Sequence, residues 1–169
     1  MVRSPRRALA LAGLFALLAA CAREAPPAPS AQPLFYRSLA ASQASVDAAT
    51  AAEMISAYRA NHGLGPLTVD PALVTEARKA ADAMAAADRP ASGDALRKEL
   101  AAEGMASPAV NLSAGYHTLA EAFSGWRDSP AHNRVMLTPG ASRLGIATAY
   151  APRSKYKVYW ALIVAGRNH

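Results

Sequence analysis

At 169 residues, with 52% hydrophobic and 18% charged side chains, the chain has enough length and apolar content for one folded domain and too little length for two. That composition excludes a disordered protein, and a single cysteine excludes a disulfide-stapled scaffold. The formal charge of +6 does not point to nucleic acid, because part of the excess lies in a leader, as the first residues show.

Met1 to Arg7, "MVRSPRR", carries three arginines and no acid, and Ala8 to Ala20, "ALALAGLFALLAA", is wholly apolar. That run is shorter than the ~20 residues needed to span a bilayer, so the pattern is that of an export signal rather than a transmembrane helix. Arg6-Arg7 suggests twin-arginine export, but the surrounding residues fit it poorly. The run closes on "LAAC", Leu18 to Cys21, which resembles the lipobox cut by the bacterial lipoprotein signal peptidase. Residues 1–20 are therefore expected to be a lipoprotein signal peptide, and Cys21, the only cysteine, the residue that carries lipid. The competing expectation is an ordinary secreted chain with an incidental Cys21. Export removes nucleic acid as a partner and leaves a membrane, reached through the N-terminal lipid. Residues 21–44, rich in Pro, Ala and Ser, are expected to be a tether, and 45–169 the domain.

With the three leader arginines set aside, fifteen Lys and Arg remain against twelve Asp and Glu. The excess is lopsided, since Arg127 to His169 holds seven basic residues and only Asp128. A solvated face is the preferred reading, with anionic headgroups or cell-wall polymers as the alternative.

In chain order, Ser45 or Asp47 can cap a helix running to about His62, with Ala51, Met54, Ile55 and Tyr58 on one stripe and Gly63 as its stop. A stronger helix follows in "VDPALVTEARKAADAMAAA". Asp70 is its N-cap, Pro71 its first residue, Leu73, Ala77, Ala81 and Met84 its buried face, and Pro90 marks its end. "SGDALRKELAAEG" predicts a short helix between a polar cap and Gly104, and "AVNLSAGY" a strand. Thr118-Leu-Ala-Glu121 reads as a capping box opening the next helix, and Ser129-Pro130 as the cap and first residue of another. In "RLGIATAYA", Leu144, Ile146, Thr148 and Tyr150 alternate with Gly145, Ala147 and Ala149, leaving one face small enough for close helix packing. "KYKVYWALIVAG" is apolar on both faces, with Tyr156, Val158, Trp160, Leu162 and Val164 on one and Tyr159, Ala161 and Ile163 on the other. A strand apolar on both faces is covered on both faces. The class expected is α+β, a three-layer α/β/α sandwich around a small, mostly antiparallel sheet.

Three stretches carry a family resemblance: "MISAYRANHGLGPLTVDPAL", "NLSAGYHTLAEAFSGWRDSPAHNRVML" and the tail "RLGIATAYAP…KVYWALIVAG". Their order and spacing from about Ala48 to Gly166 resemble bacterial members of the CAP superfamily, also called the SCP-like extracellular domain. The most specific blocks are Asn111-Leu-Ser-Ala-Gly-Tyr and Trp126-x-x-Ser-Pro-x-His132. The resemblance implies the α/β/α sandwich, an extracytoplasmic location, and in many members a cleft of two His and two Glu that holds a divalent metal such as zinc. Carried over, His132 matches one histidine and Glu121 one glutamate. The second glutamate's position is Val110, and "AADRPASGDAL", a shortened segment, offers no second histidine.

Two functions of different class follow. One is a membrane-tethered, non-enzymatic binding module of the cell envelope, taking a lipid, a short peptide or a cell-wall fragment, with no resident cofactor. The other is a metal-assisted hydrolase or peptidase working in the cleft around Glu121 and His132, the only metal ligands in hand, where a catalytic zinc typically has three. The incomplete tetrad favours the first. His117 is a possible third ligand, His62 and the aromatic residues Tyr116, Trp126, Tyr159 and Trp160 read as structural, and Ser129 with His132 reads as a cap beside a helical residue rather than a nucleophile and base.

Overall fold

A computed structural model describes residues 32–167; the expected signal and Cys21 lie outside the described residues. After a 3-10 turn, Leu34–Tyr36, come α1 (Ala48–Ala60), β1 (Thr68–Val69), α2 (Pro71–Ala87), α3 (Gly93–Ala102) and β2 (Ala109–Ala114). They are followed by α4 (Leu119–Asp128), α5 (Pro130–Met136), β3 (Arg143–Tyr150) and β4 (Val158–Ala165). The sheet order is β1-β3-β4-β2. β4 is the central antiparallel strand, pairing Ala109↔Val164 through Ala114↔Tyr159 on one side and Arg143↔Ala165 through Tyr150↔Val158 on the other. β1 adds two parallel pairs, Thr68↔Arg143 and Val69↔Leu144, which makes the sheet mixed.

Every residue of β4 is buried, as its two apolar faces require. One face joins α1, α4 and α5 in a core that holds Ile55, Trp126, Leu144, Ile146, Trp160 and Leu162. The other joins α2 and α3 in a second core that includes Leu73, Ala77, Ala81, Leu100, Ala147 and Ile163. This is the α/β/α sandwich. The small face of β3 lies under α2: a Cβ added at Gly145 would run into the backbone of Leu73, so glycine sets the spacing between helix and sheet. Asp70 fixes the start of α2 twice over. Its Oδ1 accepts from the N–H groups of Ala72 and Leu73, and its Oδ2 receives Arg143 of β3 at 2.9 Å.

Three details depart from the expectations. Ser129 occupies the N-cap position of α5, but its side chain makes no capping hydrogen bond. β4 begins at Val158 rather than Tyr156, because Lys157 sits at φ +63 and interrupts the extended backbone. The stretch 21–44 is divided: from Gln32 onward the chain lies on the domain, where Leu39 is buried, its N–H donates to His117 O at 2.7 Å, and the Val46 N–H reaches Thr148 Oγ1. An apolar Leu39 buried beside the start of α4 explains why this part is not a free spacer.

Arg59, on α1, is 1% exposed and pairs with no carboxylate among the described residues. Its guanidinium instead donates to the carbonyls of Gly65, Met136, Thr138 and Ala141, tying α1 to the turn before β1 and to the α5–β3 connection. Burial pushes its pKa down from the usual value. The planar fork of donors is what makes one side chain serve four acceptors.

Candidate functional site

β2 is an edge strand, and its first half lines a hollow of about 350 Å³ between α3 and α5. The wall on one side is the start of α3, with Ser92, Gly93, Asp94 and Arg97; the other side holds Ala131, His132 and Val135 of α5. A Cβ at Gly93 would stand 2.9 Å from the Val110 carbonyl oxygen, so this glycine lets the first turn of α3 close onto β2. The size is that of a small-ligand site.

Two buried polar atoms at this hollow have no hydrogen-bond partner: Asn111 Oδ1 and His132 Nδ1. Asn111 is 1% exposed, and its Nδ2 donates to the His132 carbonyl at 3.0 Å, holding α5 against the strand. Burial lowers the His132 pKa, so the ring is neutral at physiological pH. A buried amide oxygen left without a donor, as Asn111 Oδ1 is, costs about 1–3 kcal/mol. Arg97 and Asp94, 3.9 Å apart and exposed, stand at the rim.

Glu121 does not line the hollow. Its Oε2 accepts from the backbone N–H groups of His117 at 2.6 Å and Thr118 at 3.2 Å, while Thr118 Oγ1 accepts from the Glu121 N–H, completing the capping box. It opens α4 beyond the far end of β2, whereas His132 follows the other end of α4. The helix rise from Glu121 to Asp128 alone is roughly 10 Å. His117 is exposed and serves through its backbone, donating to Glu121 and accepting from Leu39. His62 is exposed and stacks edge-on against Tyr58. Trp126 donates to Ser113 Oγ and Trp160 to the Tyr116 carbonyl, both indoles wholly buried and edge-to-face at 5.9 Å. Tyr159 is buried and bonded to Asp88 and Ser154.

A metal fits this residue set poorly. Val110 supplies no donor, Glu121 is committed to a cap, and among the described residues no three His, Cys, Asp or Glu side chains group as a metal site would. The residues that give the hollow its polarity are Asn111, Ser92, Asp94 and Arg97 beside His132. Sequence reasoning passed over these four as site residues. The available signal was Asn111 itself, an amide inside a largely apolar strand. A second hollow of about 390 Å³ lies between α2 and α3 over Leu112 and Met84; it is lined mainly by alanines and leucine, and its charged groups stay at the rim.

Comparison with known proteins bears on the same elements. Residues 52–164 match the family described as the cysteine-rich secretory protein family, CAP. No curated protein matches the sequence significantly. Among solved structures, an outer surface protein of Borrelia burgdorferi superposes with TM-score 0.60 at 14% identity, over 73% of this chain and 97% of its own. A cysteine-rich secretory protein of Staphylococcus aureus gives 0.57 at 20% identity, over 70% and 38%. An extracellular protein containing an SCP domain, from Bacillus anthracis, gives 0.58 at 17% identity, over 70% and 40%. The chain thus spans about two fifths of the length of the last two, and at these identities the likeness is one of fold.

Proposed function

Because this chain belongs to the cysteine-rich secretory protein (CAP) family, we propose that it is a non-enzymatic binding module of the cell envelope, tethered to the membrane through lipid on Cys21. Its ligand enters the hollow at the β2 edge. The observation that carries the reading is the pair of buried, unpartnered polar atoms, Asn111 Oδ1 and His132 Nδ1, beside a Val110 that offers no metal-binding carboxylate. Such a site recognises hydrogen-bonding groups, as on the amides and hydroxyls of a short peptide or a cell-wall fragment, and Arg97 at the rim suits a carboxylate carried by the same ligand. A lipid ligand finds apolar wall in the α2–α3 hollow instead.

The competing reading is a metal-assisted hydrolase around Glu121 and His132. Its support is the neutral His132 ring. Against it stand the commitment of Glu121 to two backbone amides and the absence of a second histidine from the shortened segment before α3.

The test is an NMR titration of the mature chain carrying Cys21→Ser, with soluble muropeptides, an unrelated short peptide and short-chain phospholipid micelles as separate probes. The expected result is saturable shifts of the Asn111 side-chain amide and the His132 ring with muropeptide or peptide, with the probe recovered intact. Cleavage of the probe, abolished by His132→Ala, would establish the hydrolase; no shift at these two residues with any probe would remove the hollow as the binding site.

A further inference from the structure

Among the described residues, the large hydrophobic side chains that stand exposed are Leu34, at 47%, and Tyr36, at 53%. Both belong to one turn. Scattered exposed apolar residues are ordinary on a soluble surface and mean nothing singly. Here two of them flank Phe35 within three residues, and no residue of the turn is buried. Phe35 and Tyr36 lie with ring centroids 4.6 Å apart, beside a shallow hollow that Leu34 and Phe35 share with Thr50, Glu53 and Met54 of α1.

The turn is nonetheless fixed. The Tyr36 N–H donates to Pro33 O at 2.9 Å, the Arg37 N–H to Leu34 O at 3.1 Å, and Gln32 Nε2 to the Tyr36 carbonyl. Downstream, the Arg37 guanidinium reaches Ser45 O, and the Leu39 backbone is bonded to His117 at the start of α4. A held turn that presents Leu and Tyr to solvent gains nothing for the core, and it spares a partner most of the ordering entropy of contact.

Position supplies the partner. Leu34 is thirteen residues after Cys21. A chain of that length reaches at most about 45 Å. If Cys21 carries lipid, this turn is held within reach of the bilayer at high effective concentration. Tyr with Leu is the chemistry of the bilayer–water boundary, where an amphipathic ring keeps its hydroxyl in the headgroups, and a neighbouring Arg37 keeps its charge in water. Asp47 and Glu53 lie near Arg37 and the turn, so this end carries no net positive charge that would select anionic lipid.

We propose that Leu34–Tyr36 is a membrane-contact turn, which lies in the interface of the bilayer that holds Cys21 and sets the orientation of the domain on it. This rests on the tethering reading above. Contact is apolar, and it persists at high salt and in vesicles of zwitterionic phosphatidylcholine.

The experiment uses the full chain isolated from membranes, with Tyr36→Trp and, separately, Leu34→Trp, reconstituted into phosphatidylcholine vesicles with or without brominated acyl chains. Trp126 and Trp160 are both 0% exposed, so bromine quenching above the wild-type background reports position 36 or 34. The expected result is quenching several-fold greater than wild type at both positions, unchanged by salt. Mass spectrometry of the same samples reports lipid on Cys21. Lipid present with quenching no greater than wild type overturns the contact turn and leaves the tether standing. Lipid absent overturns the tether, and the turn is then judged by the same quenching after the chain is mixed with the vesicles. Emission that shifts with protein density rather than with lipid would assign the turn to a second copy of the chain and overturn the proposal.

Discussion

His132 is the residue at which the site becomes measurable. Burial holds its pKa below the unfolded value of about 6.5, so between the two values the unfolded chain binds more protons than the folded one. Stability from this group is therefore complete above about pH 6.5 and falls as the pH drops through that value toward the lower folded pKa. Asp47, Asp88 and Asp128 are held below the ordinary carboxylate value and act at lower pH, outside that interval. Urea unfolding at about pH 7.5 and about pH 5.5 should show a loss for wild type that is smaller in His132→Gln, whose amide stays neutral. Equal losses in the two proteins would mean that burial of the ring does not set its charge. Legibility at this scale was uneven. The capping role of Glu121 could be read from local pattern, because a helix start declares itself within four residues, whereas His132 was singled out only through the family resemblance. Asn111 and Arg59 could not, since what each bonds lies far along the chain: Asn111 meets the His132 carbonyl and Arg59 meets those of Met136, Thr138 and Ala141.

The elements followed period and punctuation where both were strong. α2 has its cap at Asp70, its proline at the first position and its buried face at Leu73, Ala77, Ala81 and Met84, all as the 3.6-residue repeat requires. β1 escaped because two residues carry no alternation; Thr68 and Val69 form a strand only when β3 lies beside them. The same tertiary dependence sets the spacing of α2 on the sheet. Gly145 leaves room for the Leu73 backbone, a contact between main chain and strand that a methyl group occupies. Gly145→Ala should therefore lower stability by about 2–3 kcal/mol through displacement of α2, while Ala147, one step along the same face, already holds the size that fits. Thermal melts of Gly145→Ala against wild type check this; a change within about 0.5 kcal/mol would show that α2 does not rest on the strand as closely as described.

For the whole molecule, the two-faced burial of β4 was the decisive sequence signal, because a strand apolar on both sides can sit only in the middle of a sandwich. Where the domain begins was less legible: Pro and Ala give the stretch before α1 the composition of a linker, whereas buried Leu39, bonded to the start of α4, and Phe35, Ala40 and Ala44 packed against the core pin its second half down. The family fold arrives here with an altered edge. α3 closes over β2 through Gly93, Val110 stands where the resemblance calls for a carboxylate, and Glu121 is tied to the opposite end of α4. We propose that this edge recognises hydrogen-bonding groups rather than holding a metal. Calorimetric titration of zinc into the mature chain carrying Cys21→Ser tests it most directly, since the only thiol is removed. Two remaining ligands, one of them committed elsewhere, cannot supply the three protein donors a catalytic zinc uses. Only weak, non-saturating heats, unchanged by His132→Ala, are expected. A saturable one-to-one isotherm of high affinity, lost in His132→Ala, would contradict it.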